Sequence, residues 1–208
     1  MTSKTLEPHG GQNNSTRDRV LAKLLEGNQR FVQGKLSNKD IGPTKRASLL
    51  KGQTPIAIIL TCSDSRVPPE LIFDQSLGDL FVIRSAGNVV DPIGIGSIEY
   101  AALHLNTPLL IILGHSHCGA ITAAVDTDHE PEGNIKAIIE TISPAVLRAK
   151  EIANTKQEII EAAIRENVFL MENKILTNSA PIRNLVQKGE FGIVKAVYNM
   201  ATGVVEIL

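Results

Sequence analysis

Two cysteines and a histidine are the residues of this chain whose types and spacing best suit chemistry. Cys62 comes directly after the apolar run at 55–60, and His115 and Cys118 form a His-x-x-Cys pair just past a second apolar run at 108–113. Two thiolates and an imidazole suit zinc, and three protein ligands with a fourth position left open are typical of catalytic zinc sites. Considered alone, the stretch of Cys62, Asp64 and Arg66 is better explained as a turn with a surface ion pair, and the His-x-x-Cys pair fits a turn with a buried thiol as well as a metal site. Both together predict a metal centre.

The acid and the arginine after Cys62 determine what the fourth position can hold. Asp64 could ligate the metal and close the site, or Arg66 could hold Asp64 away from it by two parallel charge-assisted hydrogen bonds. In the second arrangement water could bind, and the carboxylate could orient it. Because two thiolates cancel the formal charge of zinc, this site should acidify water less than three histidines do. We therefore expect better activity at mildly alkaline pH, and a pH–rate profile already maximal at about pH 6.5 would contradict this.

The surrounding elements must bring these residues together. The runs at 55–60 and 108–113 are continuously apolar, which is typical of parallel strands buried on both faces, and residues 79–84 predict a further strand. If the first two strands are neighbours, Cys62 converges with the His-x-x-Cys pair, because ligand sites form outside the carboxyl ends of parallel strands.

Helical patterns cover most of the remaining chain. Ser15 or Thr16 can cap the first helix. The predicted helical segments are 20–35, 94–106, 120–125, 135–177 and 178–188. The long segment 135–177 is expected to be interrupted at Pro144 and at Asn154–Thr155. Two strands around a turn at 201–203 are predicted at the end of the chain. These patterns predict a single α/β domain over 15–208, with a mainly parallel central sheet flanked by helices, an N-terminal helical arm and an added C-terminal strand pair. Residues 1–14 are expected to be a disordered lead.

Composition excludes several classes of protein. A net charge of −1 over 208 residues provides no basic field for nucleic acid or an anionic membrane. Two cysteines do not make a disulfide framework. The first residues contain no apolar signal segment, and no run is long enough to span a membrane. We therefore expect a cytoplasmic protein.

The motifs are similar to those of the β class of carbonic anhydrases over nearly the full chain. The resemblance extends from LLEGNQRFVQG through CSDSRVPPELIFDQSLGDLFVIRSAGNVV and GSIEYAALHL to GHSHCGAI and the final strands. It implies one zinc ion per subunit, held by Cys62, His115 and Cys118, with Asp64 as an exchangeable fourth ligand in a dyad with Arg66. It also implies a lyase that hydrates carbon dioxide reversibly to bicarbonate and a proton, by attack of a zinc-bound hydroxide that the dyad orients.

The same resemblance implies a substrate pocket. Gln53 matches a glutamine that plant-type members direct at the substrate from the partner subunit, and Phe81 and Tyr100 match its aromatic wall. Gly119 matches a backbone amide near the substrate. Considered without the resemblance, the two aromatic residues would be assigned to the core and Gln53 to a loop. The implied partners are carbon dioxide or bicarbonate and a second copy of the chain, in a homodimer or an assembly of dimers.

One position departs from part of the family. Some bacterial members bind inhibitory bicarbonate with a tryptophan three positions before the first cysteine, and this chain has Ile59 there and no tryptophan at all. Arg84 and Tyr198 match the other two groups of that site. We therefore expect the plant-like form, in which Asp64 stays off the metal.

The sequence is compatible with three alternative functions. Relatives on the same scaffold hydrolyse carbon disulfide or carbonyl sulfide, although the long insertions or tails that would indicate this are not seen. A non-catalytic zinc protein would keep Asp64 as a permanent fourth ligand. A thiol redox protein is disfavoured because there is no Cys-x-x-Cys. Among the other histidines, His117 is expected to point away from the metal and His104 to lie on a helix surface, while His9 and His129 fall in predicted loops.

Overall fold

A computed structural model describes residues 15–126 and 131–208. The predicted disordered lead, with His9, and His129 lie outside the described residues. Within the described ranges, no helix combines the length and the apolar character that crossing a membrane requires.

The described residues form a five-stranded sheet with the order β2-β1-β3-β4-β5. Its strands are β1 (Ala57–Cys62), β2 (Leu80–Ser85), β3 (Leu109–His115), β4 (Gly192–Tyr198) and β5 (Val205–Ile207). β1 to β4 run parallel, and β5 pairs antiparallel with β4. This sheet confirms the predicted fold class. Because β2 and β3 lie on opposite sides of β1, the strand order reverses between β1 and β3, where α/β sheets form their binding crevices.

Helices cover both faces of the sheet. They are α1 (Thr16–Val32), α2 (Pro43–Ser48), α3 (Pro69–Ile72), α4 (Pro92–His104), α5 (Gly119–Val125), α6 (Ile135–Ile152), α7 (Lys156–Asn178) and α8 (Ala180–Gln187). Ser15 caps α1 through a hydrogen bond from the Asp18 amide to its hydroxyl. The short helices α2 and α3 were not predicted, because helices of six and four residues have too few turns to show an apolar period.

The core has two layers, one on each side of the sheet. Ile58 and Leu60 of β1 face a cluster built mainly with α4 to α8, whereas Ala57 and Ile59 face a cluster that includes Leu24 of α1. Successive strand residues thus point to opposite faces of the sheet, and both faces are buried. This is why β1 and β3 have continuous apolar runs instead of alternating ones.

The predicted interruption at Pro144 is wrong. α6 continues through Pro144, which lies on the exposed side of the helix. Proline removes one backbone hydrogen bond, but the buried neighbours Ile142, Ala145 and Val146 hold the helix against the core. The interruption predicted at Asn154–Thr155 is confirmed, because α6 ends at Ile152 and Thr155 caps α7.

Candidate metal centre

The three predicted metal ligands meet at the reversal point of the sheet. Cys62 is the last residue of β1 and His115 the last residue of β3, so both lie within their strands rather than after them. β1 and β3 are parallel neighbours, with Thr61 opposite Leu113. Ligand atoms of Cys62, His115 and Cys118 all lie within 4.8 Å of one another, and all three residues are buried. The strand pairing thus closes a separation of 53 positions between the first cysteine and the histidine.

The imidazole of His115 is oriented for ligation. Its Nδ1 lies 2.9 Å from the Ser116 carbonyl oxygen. Because a carbonyl can only accept, Nδ1 carries the proton and Nε2 keeps a free lone pair. His115 is fully buried, and Nε2 has no hydrogen-bond partner among the described residues. A buried acceptor without a partner is rare, and a bound metal ion would satisfy it.

The two thiols also fit a soft cation. A hydrogen bond from Cys118 holds the pKa of Cys62 well below its usual range, although burial opposes this effect. The same hydrogen bond and burial raise the pKa of Cys118. Zinc prefers thiolate and imidazole ligands, and its positive charge favours the deprotonated form of both thiols, so this donor set fits it.

Asp64 is fully engaged by Arg66. Arg66 Nε donates to Oδ1 at 2.9 Å and Nη2 donates to Oδ2 at 2.7 Å, and the Arg66 backbone amide also donates to Oδ1. The Arg66 side-chain hydrogen bonds are the main cause that lowers the pKa of Asp64 below its usual range, against a smaller effect of burial. The carboxylate lies outside the group of three ligand side chains. It is held beside the centre as an ionised acceptor.

Arg84 fixes the backbone that carries these groups. Its Nε donates to the Cys62 carbonyl at 3.0 Å, and its Nη2 donates to the Asp64 carbonyl at 2.7 Å. The sequence analysis matched Arg84 only to the inhibitory bicarbonate site of some bacterial family members. In this chain Ile59 is fully buried and Tyr198 nearly so, while the guanidinium of Arg84 holds the turn between Cys62 and Asp64.

Phe81, one of the predicted pocket residues, lies far from the metal centre of its own chain. Phe81 lies opposite Ile58 in the β1–β2 register, four residues before Ser85, which lies opposite Cys62. At about 3.3 Å per strand residue, this places Phe81 roughly 13 Å from the carboxyl end of the sheet.

The other two predicted side chains lie on the same side as Phe81. The ring of Tyr100 is 6.3 Å from that of Phe81, and Gln53 precedes the amino end of β1. Gly119, in contrast, is the first residue of α5 and directly follows Cys118. One chain therefore brings Gly119 to the centre but keeps Gln53, Phe81 and Tyr100 near the opposite end of its sheet.

Two residues at the centre were missed by the sequence analysis. The Gly87 amide donates to Cys62 Sγ at 3.3 Å, as the Asp64 amide does at 3.4 Å. Asn167 donates to the Gly87 carbonyl. A signal for Asn167 was available, since it interrupts the apolar stripe of α7 between Ile164 and Val168.

His117 and His104 occupy surface positions. His117 is exposed and adopts a left-handed φ of 57°. His104 is exposed at the end of α4, with its ring 5.4 Å from that of Tyr100. Neither belongs to the group of ligand side chains.

Comparison with known proteins identifies relatives of this arrangement. A sequence model of the carbonic anhydrase family matches residues 57–205. The chain is 38% identical to a carbonic anhydrase of Mycolicibacterium smegmatis over 188 residues, covering 88% of this chain and 89% of the relative. It is also 38% identical to carbonic anhydrase 2 of Mycobacterium tuberculosis over 184 residues, covering 86% and 87% of the two chains.

Solved structures show the same relationship. The β-carbonic anhydrase CcaA superimposes with a TM-score of 0.70 at 30% identity, over 90% of this chain and 94% of that one. A Coccomyxa β-carbonic anhydrase in complex with acetazolamide superimposes with a TM-score of 0.73 at 25% identity, over 90% and 86% of the two chains.

Proposed function

The chain belongs to the β class of the carbonic anhydrase family, and from this membership and the geometry of its metal centre we propose how it acts. It is a zinc-dependent lyase that catalyses the reversible hydration of carbon dioxide to bicarbonate and a proton. One observation carries the proposal. Three metal-ligand side chains converge in a buried crevice while both oxygens of the adjacent carboxylate are held by an arginine.

The three converging side chains would hold one zinc ion per subunit. Cys62 Sγ, His115 Nε2 and Cys118 Sγ would be the ligand atoms. When bound, zinc lowers the pKa of water and so supplies a nucleophile near neutral pH. The hydrogen bond from Nδ1 of His115 to the Ser116 carbonyl keeps the ring in the required tautomer.

Asp64 would orient the attacking water. Its carboxylate would accept a hydrogen bond from that water and so leave a lone pair directed at the carbon of carbon dioxide. Arg66 keeps the carboxylate ionised and turned away from the ligands, so that the fourth position stays open. In an inactive state Asp64 would exchange onto the metal. With Ile59 in place of the tryptophan and Arg84 engaged by backbone carbonyls, we propose the plant-like, open form.

A non-catalytic zinc protein is the less well supported alternative. It would need Asp64 as a permanent fourth ligand. Both oxygens of this carboxylate accept hydrogen bonds from Arg66 instead, and a closed site would have no use for that arginine.

A second copy of the chain would complete the substrate pocket. β2 is an edge strand, and α4 beside it exposes Ile93, Tyr100 and Leu103, which share one helical face. Association through this face would bring Gln53, Phe81 and Tyr100 of one subunit to the metal centre of the other. The Gln53 amide and the Gly119 backbone amide could then stabilise the developing negative oxygens. Two Sordaria macrospora relatives, one of them 25% identical to this chain, are described as tetrameric.

We also propose a cytoplasmic location. Both cysteines are free and must act as thiolates, and reducing compartments keep thiols in that state. Cell fractionation tests this location, if zinc-dependent carbon dioxide hydration is measured in each fraction. Recovery of the activity in an oxidising compartment would contradict it.

Zinc content and stopped-flow carbon dioxide hydration, measured on the same sample, test the function. We expect one zinc per chain and rapid hydration for the unmodified protein, and a large loss of both for Cys62→Ser. A protein that holds zinc but does not accelerate hydration would contradict the activity. Turnover on carbon disulfide exceeding that on carbon dioxide would instead identify the related hydrolase activity.

A further inference from the structure

Asn167 is a buried amide on the apolar face of α7. It is fully buried, and its neighbours on that face include Ile164, Val168 and Met171. Burying a side-chain amide is unfavourable unless it makes hydrogen bonds, so its partners indicate its role. Its Nδ2 donates to the Gly87 carbonyl oxygen at 2.8 Å. The one strong hydrogen bond of this amide is therefore directed at the segment beside the metal centre.

Gly87 is held from both sides. Its carbonyl accepts from Asn167, and its own N–H donates to Cys62 Sγ at 3.3 Å. It adopts a left-handed φ of 69°, and a Cβ there would lie 2.7 Å from Ile142 Cδ1 and 3.1 Å from Ala120 Cβ. Backbone conformation and packing therefore both require glycine at this position. A hydrogen bond that holds the carbonyl of Gly87 restricts its backbone torsions, and so limits movement of the neighbouring peptide that carries its N–H.

α7 is a rigid support for this contact. Met171, one turn after Asn167, accepts a hydrogen bond from the Val90 amide through its sulfur at 3.3 Å. α7 therefore holds the segment 87–90 at two points. It also packs against the ligand strand β3, because a Cβ at Gly114 would lie only 2.9 Å from Val168 Cγ2. A side chain on α7 thus acts from a fixed position relative to the centre.

We infer that Asn167 is a positioning residue of the metal centre, which through Gly87 directs an N–H donor at Cys62 Sγ. The inference rests on the proposed binding of metal by Cys62, His115 and Cys118. A hydrogen bond to a thiolate withdraws electron density from sulfur, and partners of this kind tune how strongly a ligand binds its metal. Without Asn167, the Gly87 carbonyl loses its donor and the N–H···S contact loosens.

Cobalt substitution of Asn167→Ala tests the inference with a readout other than activity. We expect the cobalt affinity to fall about 10-fold. The sulfur-to-cobalt charge-transfer band should shift to longer wavelength, because a thiolate without its hydrogen bond gives up electron density more easily.

Asn28→Ala is the matched control. Asn28 is also buried, on α1, and its Nδ2 donates to the carbonyls of Ile72 and Gly203. Its loss should lower stability but leave the cobalt band and the cobalt affinity unchanged.

The outcomes separate the two proposals. If the unmodified protein binds cobalt without a thiolate band, the proposed metal site is wrong. If the unmodified protein binds cobalt and shows the thiolate band, the two variants are compared. The inference about Asn167 is wrong if Asn167→Ala has the same cobalt affinity and the same band position as Asn28→Ala.

Two further measurements test the inference if the Asn167→Ala variant does not fold. Asn167→Ser, whose shorter side chain does not reach the Gly87 carbonyl, should show the same two changes, and unchanged cobalt properties would contradict the inference. In the unmodified protein loaded with an NMR-active cadmium isotope, the Gly87 amide proton should couple to cadmium through Cys62 Sγ. Absence of that coupling would also overturn the inference.

Discussion

The pair formed by Asp64 and Arg66 sets the chemistry of the centre at the residue scale. Two parallel hydrogen bonds occupy both carboxylate oxygens and lower the pKa of Asp64. Arg66 contributes no ligand atom to the group of Cys62, His115 and Cys118. The arginine therefore acts on the carboxylate and leaves the ligand set intact.

Replacing Arg66 by alanine should separate catalysis from metal binding. Without the guanidinium, Asp64 is free to turn toward the metal and fill the open position. We expect Arg66→Ala to lose at least about 100-fold in carbon dioxide hydration while its zinc content stays at one per chain. Stopped-flow rates and metal analysis of one preparation measure both quantities.

Arg148 provides a control for this substitution. It is an exposed arginine on α6, 3.9 Å from Glu166, and Arg148→Ala should keep full activity. Full turnover in Arg66→Ala would show that the dyad has no role in catalysis.

At the scale of elements, Asp74 connects α1 and the segment after it to the end of α3. Asp74 is almost completely buried at a left-handed φ of 50°. Its carboxylate accepts hydrogen bonds from Arg30 of α1 and from Ser37, and it forms an ion pair with Lys39. Burial raises the pKa of Asp74, but these donors lower it more, to about 2 from 3.8. The ionised form is thus the one that stabilises the folded chain.

The stability of the chain should fall when Asp74 is neutralised. A carboxyl group with a lowered pKa stabilises the fold above its unfolded pKa, and this contribution disappears as the pH falls through the folded pKa. Asp74→Asn should therefore cost about 2 kcal/mol in the free energy of unfolding at neutral pH. The difference from the unmodified protein should shrink between about pH 4 and pH 2, as urea unfolding at several pH values would measure.

Asp126→Asn is the comparison for this variant. Asp126 pairs with Lys156 on the surface, where an ion pair contributes little. A cost for Asp74→Asn no larger than that of the surface variant, or one independent of pH, would contradict the assignment.

At the scale of the whole molecule, the site and the pocket wall lie at opposite ends of one sheet. The ligands lie at the carboxyl ends of β1 and β3, whereas Phe81 pairs with Ile58 near the amino end of β1. Tyr100 is half exposed on α4 and stacks loosely on Phe81. The proposed pocket would therefore require two chains.

Coexpression of two inactive variants should restore activity if the pocket is shared. Cys62→Ser lacks a metal ligand, and Gln53→Ala lacks the proposed amide. In a mixed dimer, the intact metal centre of the Gln53→Ala chain faces the intact Gln53 of the other chain. Random pairing should restore about a quarter of the unmodified activity. Activity and mass distribution are measured on the purified mixture.

Cys62→Ser coexpressed with Cys118→Ser is the negative control, because neither chain retains a complete ligand set. It should show no recovery. A mixture of Cys62→Ser and Gln53→Ala no more active than its components would place Gln53 outside the partner's site.

Much of the local structure could be predicted from the sequence. Apolar continuity predicted β1 and β3, a capping serine predicted the start of α1, and Asn154–Thr155 predicted the break before α7. These features depend on residues close together in the chain, where side-chain type and backbone preference act directly. Pro144 shows the limit, because contacts of α6 with distant residues outweigh the local cost of a proline.

The sequence by itself determined which side chains could bind metal, and that the acid and the arginine lie within reach of each other. Only the tertiary structure decided that Cys62 and His115 lie on neighbouring strands, that Arg66 holds both oxygens of Asp64, and that the Phe81 region is far from its own metal centre. It also revealed Asn167 behind Gly87. The reason is physical: strand order and helix packing depend on the combined burial of the whole chain, and no short stretch contains that information.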